Sequence, residues 1–218
     1  MNICMIPVRR GSQRLAKKNY LEINGKAIYE MAIEKAQQSK AFDRIVLNTD
    51  DASLEKVKSK FGIDFYLRDP EFASSEATSE MVVLDFFKNH ECERVFWLNT
   101  VSPLQTISDI KNFVQTTLEQ NCQSSVAVTH HSVHTFFDGS PLNYNWMGSF
   151  SKTQDLKPVT CFNYSMMSWK KDFKKNLETG QLFNENSVMI ESSSWSNFLL
   201  KSQDDFNLIK DLIKIAPY

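Results

Sequence analysis

Two hydrophobic patterns alternate along most of the chain. Short apolar runs rich in Val, Ile, Phe and Trp are typical of buried strands. Between them, apolar residues recur every three or four positions, which is typical of helices with one buried face. The runs predict strands at residues 2–8, 44–50, 63–70, 94–99, 124–130, 161–169 and 187–192, the third including a turn. The helical spacing predicts helices at residues 26–39, 54–61, 82–87, 110–118 and 206–213.

This alternation predicts an α/β fold in which helices cover both faces of a mostly parallel sheet. The sequence contains no internal repeat, low-complexity tract or obvious interdomain linker, so we predict one domain over residues 1–218. Between about 130 and 160 the periodicity fades, and we expect an arm or insertion that contacts a second copy of the chain. Its turn-forming residues are Gly139, Pro141, Asn143, Asn145 and Gly148.

Composition restricts the class of protein. The 25 Lys and Arg residues are balanced by 26 Asp and Glu residues, whereas a nucleic-acid-binding domain has a general basic excess. No apolar run approaches the roughly 18 residues of a membrane span, and the first apolar segment precedes its arginines, unlike a signal peptide. The four cysteines form no C-x-x-C pair, which predicts reduced, buried thiols and no zinc site. We therefore expect a cytoplasmic protein that binds neither nucleic acid nor a membrane.

Three polar loops each follow a predicted strand. They are residues 9–14, 48–51 and 99–105. Because parallel sheets bind ligands beyond the carboxyl ends of their strands, we expect these loops to line one crevice. Asp50 and Asp51, in the second loop, either face that crevice or cap a helix or turn.

The first loop gathers positive charge around a Gly-Ser pair. Gly11 and Ser12 can turn backbone N–H groups towards an anion. Arginine can hold phosphate oxygens through two hydrogen bonds, and lysine acts as a point charge. The loop is neither a Walker P-loop nor a G-x-G-x-x-G turn. Its charge favours a triphosphate ligand, and the alternative is a solvated basic turn. The five cations are Arg9, Arg10, Arg14, Lys17 and Lys18.

Two other polar groups are candidate sites. His130 and His134 have the i, i+4 spacing of metal ligands on a helix. With His131 they fall in a segment without helical periodicity, which favours a polar arm or a subunit contact. Ser102 lacks the G-x-S-x-G setting of a nucleophilic serine, so we do not expect it to act as one.

The opening IPVRRGSQRLAKKN is similar to a family motif that runs I-P-A-R-x-G-S-x-x-x-x-x-K-N. Similarity continues through GKAIYEMAIEKAQQSKAFDRIVLNTDD, YLRDPEFASSEATSEMVV and NTVSPLQ, and later through KTQDLKPVTCFNYSMM and LLKSQDDFNLIKDL. On these segments the chain resembles the acylneuraminate, or CMP-sialic acid synthetase-like, cytidylyltransferase family over nearly its whole length. The resemblance implies a Rossmann-like sheet of the nucleotidyltransferase type, with a small irregular or β arm for dimerisation.

Members of that family transfer CMP from CTP to an acidic keto-sugar, such as a sialic-type nonulosonic acid, and release pyrophosphate. The resemblance implies the same reaction here, in surface-glycan synthesis. It implies that Arg9 and Lys18 are catalytic. The residues expected to bind CTP are Arg9, Gly11, Ser12, Lys18, Asn19, Arg68 and Ser79. Asn99 and Gln154 are expected near the acceptor sugar.

The resemblance also implies Mg²⁺ and a homodimer. The two closing aspartates that help to hold the ion in the family align with Leu199 and Lys201, neither of which is a hard oxygen ligand. Either Lys201 supplies positive charge in place of the ion, or Asp204 or Asp205 takes over as the ligand.

Further departures from the family pattern fall on the acceptor side. Tyr164 replaces a glycine and Lys152 an arginine, while Asn99 and Gln105 stand where the family has Gln and Arg. They leave two alternatives to the leading function. One is a catalytically impaired homologue that binds nucleotide or a partner, and the other is a cytidylyltransferase for a different acceptor, such as a phosphorylated or phosphonate compound.

Overall fold

The computed structural model describes residues 1–147 and 150–216, so Gly148, one of the predicted turn residues, lies outside the described residues. The strands are β1 (Asn2–Val8), β2 (Glu22–Ile23), β3 (Lys26–Ala27), β4 (Arg44–Thr49), β5 (Asp64–Leu67), β6 (Arg94–Leu98), β7 (Ser124–His131), β8 (Phe136–Phe137), β9 (Ser140–Pro141), β10 (Val159–Lys170) and β11 (Val188–Glu191). The α-helices are α1 (Ile28–Ser39), α2 (Val57–Phe61), α3 (Ser79–Asn89), α4 (Ile107–Glu119), α5 (Lys174–Glu178) and α6 (Gln203–Leu212).

Seven of these strands form the central sheet, in the order β11-β7-β10-β6-β1-β4-β5. All neighbouring pairs are parallel except those of β10, which runs antiparallel to β6 and β7. The predicted mostly parallel sheet is therefore confirmed. The carboxyl ends of β1, β4, β5 and β6 meet at one edge, so the loops that follow them are neighbours.

Both faces of the sheet are covered, as predicted, because successive strand residues point to opposite sides. From β1, Cys4 and Ile6 pack with residues of α1, α2 and α4. Ile3 and Met5 pack with residues of α3 and α5 on the other face. A third cluster joins α6 to the start of α1 and to the loop after β6 through fully buried Leu200.

Local signals explain where the helices begin and end. The hydroxyl of Thr106 accepts the backbone N–H of Asp109 at 3.0 Å, and the Asp109 carboxylate accepts the N–H of Thr106, so α4 starts with a capping box. Gly62, at φ 65°, ends α2 in the left-handed region that glycine tolerates. Helix α1 starts at Ile28, two residues later than predicted, because residues 26–27 pair with β2 in a short hairpin.

The irregular arm lies between β7 and β10, as predicted, and carries the hairpin of β8 and β9. His130 and His131 belong to β7, and the ring of His134 stacks on Phe150 at 3.9 Å between centroids. Within residues 1–147 and 150–216, no three His, Cys, Asp or Glu residues gather as metal ligands. The metal hypothesis for these histidines therefore has no support from the described geometry.

All four cysteines are free, but the prediction that they are buried is wrong for Cys161. It lies in the exposed first half of β10, whereas the other three are packed inside. No helix in the described part of the chain combines the length and hydropathy of a membrane span.

Candidate active site

A cavity of about 230 Å³ lies beyond the carboxyl ends of β1, β5 and β6. Its walls are the loop after β1, the start of α3 and the loop after β6. Eight of the predicted site residues line it. They are Arg9, Gly11, Ser12, Lys18, Asn19, Arg68, Ser79 and Asn99. The structure thus brings together residues from positions 9 to 99 of the chain, while their individual roles stay predictions.

A larger concavity, of about 660 Å³, lies at the opposite edge of the sheet, near Met1, Arg44 and Glu93. It is bordered mainly by exposed charged side chains at the amino ends of β4 and β6. Ligands of parallel sheets bind at the carboxyl edge, so the smaller cavity is the candidate active site.

The loop of residues 48–51 does not line the cavity, so the prediction for this loop is wrong. The Asp50 carboxylate accepts the backbone N–H of Arg10 at 2.9 Å. Asp51 accepts the N–H of Ser53 at 3.0 Å, where it caps a 3-10 turn, and the hydroxyl of Tyr20 at 2.8 Å. Both carboxylates therefore accept hydrogen bonds from the protein itself and do not face the cavity. This agrees with the alternative in which the pair has a structural, capping role.

Asn19 joins two walls of the cavity. Its amide nitrogen donates to the carbonyl of Arg9 at 3.1 Å, and its amide oxygen accepts the hydroxyl of Thr100 at 2.7 Å. Because Asn19 is buried, both bonds are shielded from water. The side chain therefore fixes the first loop against the loop after β6.

Positive charge dominates the polar lining. Burial, followed by the charges of Arg14, Arg9 and Lys201, lowers the pKa of Lys18 to about 8. Arg68 is only 4% exposed, and its Nε has no hydrogen-bond partner among the described residues. Burial lowers the pKa of Arg68 as well. A buried donor without a partner is costly, so this cavity is suited to an anionic or acceptor-rich ligand.

The start of α3 contributes a further electropositive element. Thr78 caps the helix by accepting the N–H of Met81 at 3.4 Å, and Ser79 is the first helical residue. Thr78 and Ser79 both line the cavity, so the amino end of the helix dipole lies at its wall.

The cavity also has an apolar floor that the sequence does not predict. Phe72, Val82 and Trp97 form this part of the lining. Trp97 also belongs to the core, where its ring packs against Trp169 at 6.2 Å between centroids. A buried strand residue carries no sequence signal that it also borders a cavity.

Of the residues that the sequence places near the acceptor sugar, only some line the cavity. Asn99 lines the cavity, and its backbone N–H donates to the carbonyl of Ser165 at 3.0 Å. Gln105 is buried and donates to the Ser165 hydroxyl at 3.2 Å, away from the cavity lining. Gln154 is exposed in a 3-10 turn of the arm and does not line the cavity. Its predicted contact with the sugar stays a prediction.

The donor set does not fit a divalent cation held by the protein. Mg²⁺ is usually held by one or two carboxylates together with phosphate oxygens, but among the described residues none that lines the cavity is acidic. Asp205 instead accepts the backbone N–H groups of Lys201 and Ser202, at 2.9 and 2.7 Å, at the start of α6. Asp204 is exposed on the same helix and lines no part of the cavity.

A sequence profile of a family described as cytidylyltransferase matches residues 3–207. The chain belongs to the cytidylyltransferase family. A solved structure of CMP:2-keto-3-deoxy-manno-octonic acid synthetase complexed with CTP superposes with a TM-score of 0.72 over 98% of each chain, at 14% identity. At this identity the likeness shows the nucleotidyltransferase fold, which confirms the expected fold class.

Curated relatives place this cytidylyltransferase with the CMP-sialic acid synthetase-like members. Post-translational flagellin modification protein B of Campylobacter coli is 25% identical over 97% of this chain and 94% of its own. N-acylneuraminate cytidylyltransferase of Streptococcus agalactiae serotype V is 29% identical over 72% of this chain, but only 40% of its own length is matched. Pseudaminic acid cytidylyltransferase of Campylobacter jejuni serotype O:2 is 37% identical over 38% of this chain and 36% of its own.

Proposed function

We propose that this cytidylyltransferase transfers CMP from CTP to an acidic keto-sugar of the nonulosonic, sialic-type class, releases pyrophosphate, and serves surface-glycan synthesis. The supporting observation is the cavity at the carboxyl edge of the sheet, where Arg9, Lys18 and Arg68 converge with no acidic residue in the lining. A triphosphate is the kind of ligand that such a cavity stabilises. The names of two relatives, which act on N-acylneuraminate and pseudaminic acid, support the acceptor class.

In the proposed reaction, a sugar hydroxyl oxygen bonds to the α-phosphorus of CTP. The bond between that phosphorus and the oxygen bridging to the β-phosphorus breaks, pyrophosphate leaves with the electron pair, and the hydroxyl proton passes to solvent. Arg9 and Lys18 offset charge on the triphosphate and on the departing pyrophosphate. This reaction requires mainly that the protein position its substrates. Asn19 contributes by fixing the first loop through its two hydrogen bonds.

The cytidine is proposed to bind beside Arg68 and Ser79, over the apolar floor of Phe72, Val82 and Trp97. Aromatic surfaces stack on nucleobases. The guanidinium of Arg68 can donate to carbonyl and ring-nitrogen acceptors of a pyrimidine. Asn99 lies at the remaining wall, where the acceptor sugar is proposed to bind.

The test is incubation with CTP, Mg²⁺ and a panel of acidic keto-sugars, with pyrophosphate release and CMP-sugar mass as the readouts. We expect both products with at least one nonulosonic acid and neither with neutral sugars. Folded protein that gives neither product with any acidic sugar contradicts the proposed function.

The second candidate is a homologue that binds CTP without turnover, and the acid-free lining of the cavity is the observation that favours it. It predicts that CTP raises the thermal melting temperature while no pyrophosphate is released. Pyrophosphate release in the panel above excludes this candidate.

We also propose that the chain works as a cytoplasmic homodimer. Apolar side chains crowd the arm, where Phe137, Trp146 and Met147 are 74%, 63% and 88% exposed. Exposed apolar patches of this kind mark interaction surfaces. The four free cysteines suit the reducing cytoplasm.

A further inference from the structure

The described part of the cavity offers a triphosphate only cations and neutral groups. Arg9, Lys18 and Arg68 line it, and none of them forms an ion pair within residues 1–147 and 150–216. Asp50 and Asp85 interact electrostatically with Arg68, but neither lines the cavity. The buried Nε of Arg68 has no hydrogen-bond partner in the described part of the chain, which independently indicates a ligand that carries an acceptor.

Lys201 adds a fourth cation beside the cavity. It does not line the cavity itself but borders a neighbouring concavity, which Asp205 also lines. Leu200 is fully buried, and its backbone N–H donates at 2.7 Å to the carbonyl of Val101, a residue of the cavity wall. This bond holds the segment of residues 199–201 beside the cavity and leaves Lys201 exposed. The charge of Lys201 acts on Lys18, as it also does on Asp205.

These cations repel one another when no anion is present. The pKa of Lys18 is lowered to about 8, in part by Arg14, Arg9 and Lys201, so assembling the group costs free energy. A polyanion placed among the cations removes this repulsion, which adds to its binding free energy. Lys201 is therefore positioned to stabilise a bound triphosphate.

We propose that Lys201, acting with Arg9 and Lys18, binds the triphosphate of CTP as a fixed cation, so that CTP binding needs no divalent ion held by the protein. This inference rests on the proposed function, and it assigns to Lys201 a role in place of carboxylate ligands.

The experiment is calorimetric titration of CTP into the full chain, in buffer with EDTA and in buffer with excess Mg²⁺. We expect the wild-type chain to bind CTP at least as tightly in EDTA as in Mg²⁺. Lys201→Ala should weaken CTP binding in EDTA by roughly fivefold to tenfold, because the variant loses one favourable charge interaction with the triphosphate. Lys201→Asp should weaken it further and make binding depend on Mg²⁺.

Lys88→Ala is the matched control. Lys88 is an exposed lysine near the end of α3, nine residues and about 13 Å along the helix from Ser79. It should bind CTP like the wild type in both buffers. Wild-type binding that requires Mg²⁺, or equal affinities for Lys201→Ala and Lys88→Ala, overturns the inference and leaves the proposed function standing. Absence of CTP binding in both buffers, by folded protein, overturns the proposed function itself.

Discussion

At the scale of single residues, Lys18 shows how burial and like charges prepare a side chain for an anion. Burial is the largest cause of its lowered pKa, and Arg14, Arg9 and Lys201 add to the effect. Arg9 and Lys18 are also the residues that the resemblance marks as catalytic. Their juxtaposition in one cavity gives that expectation a physical basis.

CTP affinity should depend on pH through Lys18. In the free protein this side chain carries its charge below about pH 8 and loses it above that value, so the affinity for a triphosphate falls as the pH rises. We expect a roughly tenfold weaker affinity at pH 9 than at pH 7, because about nine tenths of the charge is lost over that range. Titration of CTP at several pH values measures it.

Lys18→Arg is the control for this pH dependence. Arginine stays protonated throughout this range, so the affinity of the variant should change little between pH 7 and pH 9. An equally steep fall in the variant would mean that Lys18 is not the group responsible.

Eight of the residues that line the cavity could be predicted from the sequence, because they belong to the first loop or to motifs that resemble those of the family. Three features could not be predicted. Asp50 and Asp51 accept hydrogen bonds from Arg10 and Tyr20, and these contacts depend on the three-dimensional path of the chain after β1. Trp97 and Phe72 form the floor because of packing between distant elements. The exposure of Gln154 depends on the path of an arm whose sequence has no regular period.

At the scale of elements, an irregularity in β10 lies next to Asn99, which lines the cavity. The pairing of β10 with β7 changes register between Phe162 and Met167, and Tyr164 has a φ of 53° within that interval. The next residue, Ser165, presents its carbonyl to the backbone N–H of Asn99. Tyr164, which replaces a glycine of the family pattern, therefore adopts a backbone conformation that favours glycine.

Tyr164→Gly and Tyr164→Ala form a matched pair that tests this strain. Both variants lose the ring, which contacts Phe162 at 5.7 Å between centroids, but only alanine keeps a Cβ in the left-handed region. The free energy of unfolding should be greater for the glycine variant by about 1 kcal/mol. Urea denaturation of both proteins measures the difference, and an alanine variant as stable as the glycine variant contradicts the strain.

The strands and longer helices could be predicted because each has a clear hydrophobic period, as in β1 and α4. The hairpin of β2 and β3 and the five-residue α5 were not predicted, because elements this short show no period. The antiparallel direction of β10 depends on long-range pairing with β6 and β7, which local sequence does not encode.

At the scale of the whole molecule, the arm is the surface whose apolar side chains remain uncovered in the single chain. Phe136, Tyr144 and Trp146 contact one another edge to face, which gives the arm a small core of its own. Phe137 and Met147 are the most exposed apolar residues in the described part of the arm. We attribute their exposure to a second copy of the chain.

The double substitution Phe137→Glu and Met147→Glu should therefore convert a dimer into a monomer. Buried charges at an apolar contact are costly, whereas surface changes leave the fold within about 0.5 kcal/mol. Analytical ultracentrifugation should give twice the chain mass of 25.2 kDa for the wild type and the single mass for the variant. Leu208→Glu, an exposed apolar position on α6, should stay dimeric. A monomeric wild type contradicts the proposed assembly.

The central claim is that the first loop holds the triphosphate of CTP through Arg9. Adjacent arginines provide the most direct measurement, because Arg9 lines the cavity and Arg10 does not. By calorimetric titration, Arg9→Ala should weaken CTP binding by at least about tenfold, the value of a charge-assisted hydrogen bond, and Arg10→Ala by less than about threefold. Equal losses in the two variants, or no loss in Arg9→Ala, would contradict the account.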